Sequence, residues 1–130
     1  MAAIVGAVMR KLQIKRIYDP PSADDGYRVL VDRLWPRGVS KERAQLGEWF
    51  KDIAPTSELR NWFGHDPANW QEFQVRYRQE LDANREGVEH LCALLSKAKL
   101  TLLYAARDAV INQATVLEQY LREHCPGRAR

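Results

Sequence analysis

Cysteine is scarce in this chain: Cys92 and Cys125 are its only two among 130 residues. No C-x-x-C pair occurs, and the three histidines are scattered, so the sequence spells out neither a zinc site nor a dithiol redox motif. Cys92 falls in the apolar run VEHLCALL and reads as a small core residue, while Cys125 falls in HCPGRAR, which reads as a tail. Such usage suits a reducing, cytoplasmic setting. Long apolar runs are missing too. Nothing approaches the roughly 18 consecutive apolar residues of a membrane-spanning helix, so no membrane partner is expected. In the opening MAAIVGAVMRK the basic residues follow the apolar ones, the wrong order for a secretory signal. There is no G-x-S-x-G, no Walker loop and no G-x-G-x-x-G, which removes the serine-hydrolase elbow and the two glycine-rich phosphate cradles. Repeats, low-complexity stretches and linkers are absent as well.

What is present fits one small domain. Apolar residues make up 45% and charged residues 28%, enough for one core and against disorder. Twenty basic against 17 acidic residues leave a net charge of +3, compatible with anionic ligands but weak support for a nucleic-acid partner. Residues 1–10 read as a flexible lead-in, 11–124 as a single α/β domain and 125–130 as a disordered tail.

Along the chain, LQIKRIY (12–18) alternates and reads as a strand. DPPSADDG (19–26) is a loop, and YRVLVDRL (27–34) is a second strand whose unbroken Val29, Leu30 and Val31 suit burial on both faces. Pro36 and Gly38 turn the chain. Ser40 then caps an expected helix over 41–53, with Leu46, Trp49, Phe50 and Ile53 on its apolar side. One or two further turns follow over 56–64, started by Thr56 or Ser57 and stopped by Gly64. The clearest helix start is at 66–67, where Asp66 caps and Pro67 takes the first position; Trp70, Phe73, Tyr77 and Leu81 follow at helical spacing. A helix over 88–98, a buried strand over 100–106 and a last helix over 107–124 capped by Asp108 complete the pattern. Strands two and three, separated by helices, permit a parallel pair. The expected fold is α/β: a mainly parallel sheet of about three or four strands, a helical insert and a C-terminal helix.

Two strand ends carry unusual polar groups. One holds Asp32, Arg33, Trp35, Pro36, Arg37 and Gly38; the other holds Tyr104, Arg107, Asp108, Asn112 and Gln113. If the strands are parallel neighbours, both sets meet at the carboxyl edge of the sheet, where open α/β sheets bind ligands. Arg33, Trp35, Arg37, Tyr104, Arg107 and Asn112 are then candidate ligand-binding residues, with the arginines suited to clamp a carboxylate or phosphate. Asp32, His65 and Asp108 are the candidate acid/base groups. Structural roles stand beside these. Asp32 pairs with Arg33 or Arg107, Trp35 plugs the core, Asp108 caps a helix, and His65 merely precedes the Asp66 cap.

The strings GYRVLVDRLWPRGVSKERAQL, WFKDIAPTSELRNWFGHDPANWQEFQVRYRQEL and TLLYAARDAVINQATVL resemble the YeaO-like family of bacterial proteins, a domain of unknown function. The resemblance runs from about Leu12 to His124. It implies a compact α/β domain and no settled activity. Family motifs fall on Asp32, Arg33, Trp35, Pro36, Arg37, Gly38 and Lys41, on Pro55, Trp62, Phe63, His65 and Asp66, and on Tyr104, Asp108 and Asn112. Relatives often carry histidine where this chain has Ile111, so an acid or base at that position would be missing here. Some relatives are labelled transcriptional regulators, yet no helix-turn-helix with a basic recognition helix is visible. The function expected is binding of, or action on, a small anionic ligand, with no cofactor and no metal. The alternative is a nucleic-acid-binding or protein-interaction module without catalysis, of which nucleic acid is disfavoured. Enzymatic activity and oligomeric state stay open.

Overall fold

The structure, a computed structural model, describes residues 11–126. The lead-in assigned to residues 1–10, and residues 127–130 of the assigned tail, lie outside the described residues. Four strands, β1 (Leu12–Arg16), β2 (Tyr27–Leu30), β3 (Glu48–Trp49) and β4 (Leu100–Tyr104), form one sheet. Their order is β1-β4-β2-β3, and every neighbouring pair is parallel. Five helices accompany them: α1 (Lys41–Ala44), α2 (Ser57–Phe63), α3 (Trp70–Ala83), α4 (Arg85–Lys97) and α5 (Gln113–His124). The fold is the expected α/β one, with four strands.

LTLLY makes the central strand because it is apolar at nearly every position, and β4 is buried throughout between β1 and β2. Alternation sorts the side chains onto two unlike faces. Leu12, Val29, Val31, Leu100, Leu102 and Tyr104 join the main core, together with Phe73, Tyr77, Leu91, Leu117 and Leu121 from α3, α4 and α5. The other face is thinner, with Ile17, Leu30 and Leu103 covered by Val39 and Ala44.

That thin face also carries a polar network which the sequence hides inside an apparent loop. Asp25 accepts from Lys15 and Arg28, and Thr101 Oγ1 donates to the Asp25 carbonyl at 2.6 Å. Burial works against the Asp25 charge, but the Ser22 N–H, Lys15 and Arg28 outweigh it and hold the carboxyl below its ordinary range. The network pins residues 17–26 across β4 and so joins β1 to β2. Gly26 makes the final bend possible: its φ is +67°, and a side chain there would run into the Lys99 carbonyl.

Two expected helices are corrected. Over 41–53 only Lys41–Ala44 is helical. Gln45 turns left-handed at φ 47°, and the Arg28 guanidinium takes the carbonyls of Ala44 and Gln45, which closes the helix end. The chain then extends, and Glu48–Trp49 pairs with Val29–Leu30 as an edge strand before a 3-10 turn at Lys51–Ile53. The last helix begins at Gln113 rather than near 107. Its cap is Asn112, whose side chain accepts from the Thr115 N–H, while Asp108 closes a separate turn on the N–H groups of Val110 and Ile111. Thr56, Gly64 and Asp66 cap as expected.

Cys92 is likewise corrected. It is not an unpaired core residue but forms a disulfide with Cys125, tying α4 to the end of α5. Among the described residues no helix is long and apolar enough to cross a membrane.

Candidate functional site at the carboxyl edge of the sheet

β2 and β4 are neighbours, yet the chain leaves them in opposite directions. After β2 it passes to α1, which packs on the thin face through Ala44; after β4 it passes to α5, which packs on the helical face. Adjacent strands whose connections part in this way leave a crevice at their carboxyl ends. A cavity of about 260 Å³ lies there. Residues 32–36 form one wall, Ala105, Ala106 and Gln113 another, and Ala54, Pro55, Arg60, Phe63, His65 and Phe73 from the helical insert the third.

Asp32 holds the two strand ends together. The Ala105 N–H donates to its Oδ2 at 3.0 Å, and the Gln113 side-chain amide donates to its Oδ1. Its carbonyl accepts from the Trp49 indole at 2.8 Å. Burial pushes the Asp32 carboxyl up to about 6, against the pull of those two donors and of the nearby Arg60 charge. The group therefore changes charge in the physiological range while bonded on both oxygens.

Around it the wall is apolar and aromatic. Phe63 and Phe73 stack at 4.1 Å, and Trp35 meets Trp49 edge-on at 5.2 Å while its indole donates to the Val39 carbonyl. His65 stands in the left-handed region at φ 56°, directly after the left-handed Gly64 cap, with its ring 5.6 Å from Phe63. Arg33 lines the cavity, but its guanidinium donates to the carbonyls of Pro55 and Ala54 and so clamps the insert to β2. Arg60 differs: among the described residues its guanidinium has no carboxylate partner and no hydrogen bond.

The structure thus brings together Asp32, Arg33, Trp35 and His65 from the sequence-derived set. Arg37 and Arg107 are exposed and directly follow the wall residues Pro36 and Ala106 without lining the cavity. Tyr104 is buried at the end of β4; burial raises its hydroxyl pKa, with Asp19 adding to the effect. Asn112 is fully buried, and its amide is occupied by the Asp108 carbonyl and the Thr115 N–H. Asp108 sits outside the cavity, bonded to two backbone N–H groups that keep its carboxyl below the ordinary range. Arg60, Phe63 and Phe73 were not singled out as site residues from sequence. Phe73 reads there as an ordinary helix-face residue and Phe63 only as a family-motif position in the 56–64 turns, and it is the packing of α2 and α3 that brings both to the strand ends.

Known proteins place the chain. The uncharacterized protein YeaO of Escherichia coli (strain K12) is 43% identical over 111 residues, covering 85% of this chain and 96% of that protein. The uncharacterized proteins Rv3073c of Mycobacterium tuberculosis (strain ATCC 25618 / H37Rv) and Mb3100c of Mycobacterium bovis (strain ATCC BAA-935 / AF2122/97) are each 39% identical over 111 residues, covering 85% of this chain and 93% of theirs. No solved structure matches. With a family model spanning residues 11–129, the chain belongs to the YeaO-like proteins of the DUF488-N3i family, described as the inactive DUF488-N3 subclade.

Proposed function

We propose that this protein binds a small anionic molecule, about the size of one ring system, in the cavity at the carboxyl edge of the sheet. The observation that carries this reading is Arg60, an exposed guanidinium with no ion-pair partner that lines an aromatic cavity. At about 260 Å³ the space is smaller than the roughly 300–1,000 Å³ of sites for drug-sized ligands, which sets the ligand's size. Trp35 supplies a half-buried apolar wall, backed by the buried Phe63–Phe73 stack, and Arg60 with His65 supplies the polar end for the anion. Asp32, when protonated, adds no repulsion.

Binding is the role this reading assigns. The lining holds no hydroxyl, thiol or amine, Asp32 and His65 are its titratable acid/base side chains, and the family is described as an inactive subclade.

The test is a thermal-shift screen against small aromatic and aliphatic carboxylates and phosphates, run on the wild type and on Arg60→Ala. A ligand at 100 times its dissociation constant stabilises the fold by about 2.7 kcal/mol, a shift of several degrees at this chain length. The Arg60 side chain makes no hydrogen bond among the described residues, and alanine keeps its backbone bonds, so Arg60→Ala without ligand should unfold within about 0.5 kcal/mol of the wild type. It should lose the ligand shift. A screen in which no anion moves the wild type, or in which Arg60→Ala shifts equally, overturns the reading.

A further inference from the structure

The charge pairing of the molecule is uneven. Five Lys or Arg ion pairs and one histidine–carboxylate contact occur among the described residues, and they join Asp25 to Lys15 and Arg28, α3 residues to Glu72 and Glu123, Glu118 to Arg122, and Glu48 to His90. None lies at the carboxyl edge of the sheet. Basic residues stand at every strand exit there, interleaved with Asp19, Asp32, Asp52 and Asp108: Arg16 ends β1, Arg33 and Arg37 follow β2, Lys51 follows β3 and Arg107 follows β4.

Tyr18 gathers some of these segments: the Arg16 side chain and the backbone of Arg37 both meet it. Arg16 donates to the Ala106 carbonyl and lies 4.6 Å from the Tyr18 ring centre. The Tyr18 hydroxyl donates to the Arg37 carbonyl at 2.8 Å, and Arg43 donates to the Tyr18 carbonyl at 3.1 Å. The basic surface therefore continues from the cavity wall, at Pro36 and Ala106, outward to Tyr18. Of the acidic groups nearby, Asp108 is bonded to backbone N–H groups and Asp32 to Ala105 and Gln113, while the exposed Asp19 follows Tyr18 and makes no ion pair among the described residues. Leu34, at the cavity mouth, is 59% exposed and adds an apolar surface between the cations and the aromatic walls.

We propose that this edge docks single-stranded nucleic acid, with one base in the Asp32 cavity and the flanking phosphates on Arg37, Arg43, Arg60 and Arg107. The inference rests on the cavity reading above and extends it. Exposed arginines on segments reaching beyond the cavity, at Arg37, Arg43 and Arg107, suit a ligand with charges spaced along a chain, which a lone small anion lacks. The half-buried rings of Trp35 in the cavity wall and Tyr18 outside it suit unstacked bases, whereas acidic side chains offer nothing to stack. A duplex keeps its bases paired and cannot place one in a cavity without unstacking it.

The experiment is fluorescence anisotropy of the full chain with a labelled mixed-sequence strand of roughly twelve nucleotides, as DNA, as RNA and annealed to its complement. Titrations run at about 50 and 200 mM salt, and single strands should bind with a log–log salt slope of about −2 to −3, given about −0.7 per phosphate contacted. Duplex should bind more weakly. The triple variant Arg37→Ala, Arg43→Ala, Arg107→Ala should stay folded, its unfolding temperature lowered only by the lost Arg43 bond to the Tyr18 carbonyl, lose about tenfold or more in affinity, and flatten the slope by about 2. Arg60→Ala should weaken binding as well. No anisotropy change at the lower salt, equal binding of duplex, or an unaffected triple variant overturns the proposal. If strands fail to bind while small anions still raise the unfolding temperature, this inference fails and the cavity reading stands. If strands bind but Arg60→Ala changes nothing and no small anion shifts the protein, the cavity reading fails, and the base-in-cavity proposal with it.

Discussion

Asp32 is where the two strand ends and the cavity meet, and its proton links folding to pH. Its carboxyl is raised to about 6 in the fold, against an ordinary value of 3.8, chiefly by burial. The folded chain therefore holds this proton more tightly than the unfolded chain. The stability it contributes is complete below about pH 4 and is lost as pH rises through about 6. The shift corresponds to at most about 3 kcal/mol, and less in practice because the carboxyl is only half-buried and faces an open cavity. Asp32→Asn removes the charge yet keeps an oxygen for the Ala105 N–H, and Gln113 can turn its amide to match. Calorimetry from pH 4 to 8 should show the variant gaining about 1–2 kcal/mol over the wild type at pH 8 and no advantage at pH 4. A difference curve flat across that range would assign the wild-type slope to other groups.

Elements that carry their own punctuation were legible in the sequence. Thr56 with Gly64, and Asp66 with Pro67, mark real helix boundaries, and the apolar run of β4 marks a real central strand. Asp32 and Trp35 stood out because they break an apolar strand at its end. What stayed hidden depends on partners distant in the chain. Leu46, Trp49 and Ile53 fit helical spacing, but the backbone of Phe50 bonds to Leu30, and Arg28 ends α1 from another element. Arg60 gains its meaning only when α2 packs over the strand ends. Cys92 and Cys125, 33 residues apart, meet only because α4 and α5 lie side by side. That bridge should be measurable. Closing a loop of this length restricts the unfolded chain by about 3–4 kcal/mol. Reduction with a thiol, or Cys92→Ser, should lower the unfolding temperature by several degrees, with alkylation and mass spectrometry counting free thiols before and after. An unreduced protein that already alkylates at both cysteines would refute the bridge.

At the scale of the whole molecule, stability is graded outward from β4. That strand is buried along its length and bonded on both sides, whereas β3 is two residues long and sits at an edge. Hydrogen exchange should find the slowest amides at Leu102 and Leu103, opening only with global unfolding, and much faster ones at Glu48 and Trp49. Equal protection of the two strands would contradict the strand order. The same order has a consequence for how the chain comes into being. β1 and β2 are made first but never touch as strands, because the place between them belongs to β4. A growing chain on the ribosome that has not yet passed Tyr104 carries β1 and β2 without the strand that lies between them. β2 can already pair with β3 and hold the insert through Arg33, but β1 has no strand to pair with until β4 is made. Birth order and spatial order are opposed in this protein, so the step that completes the sheet is also the step that makes the cavity.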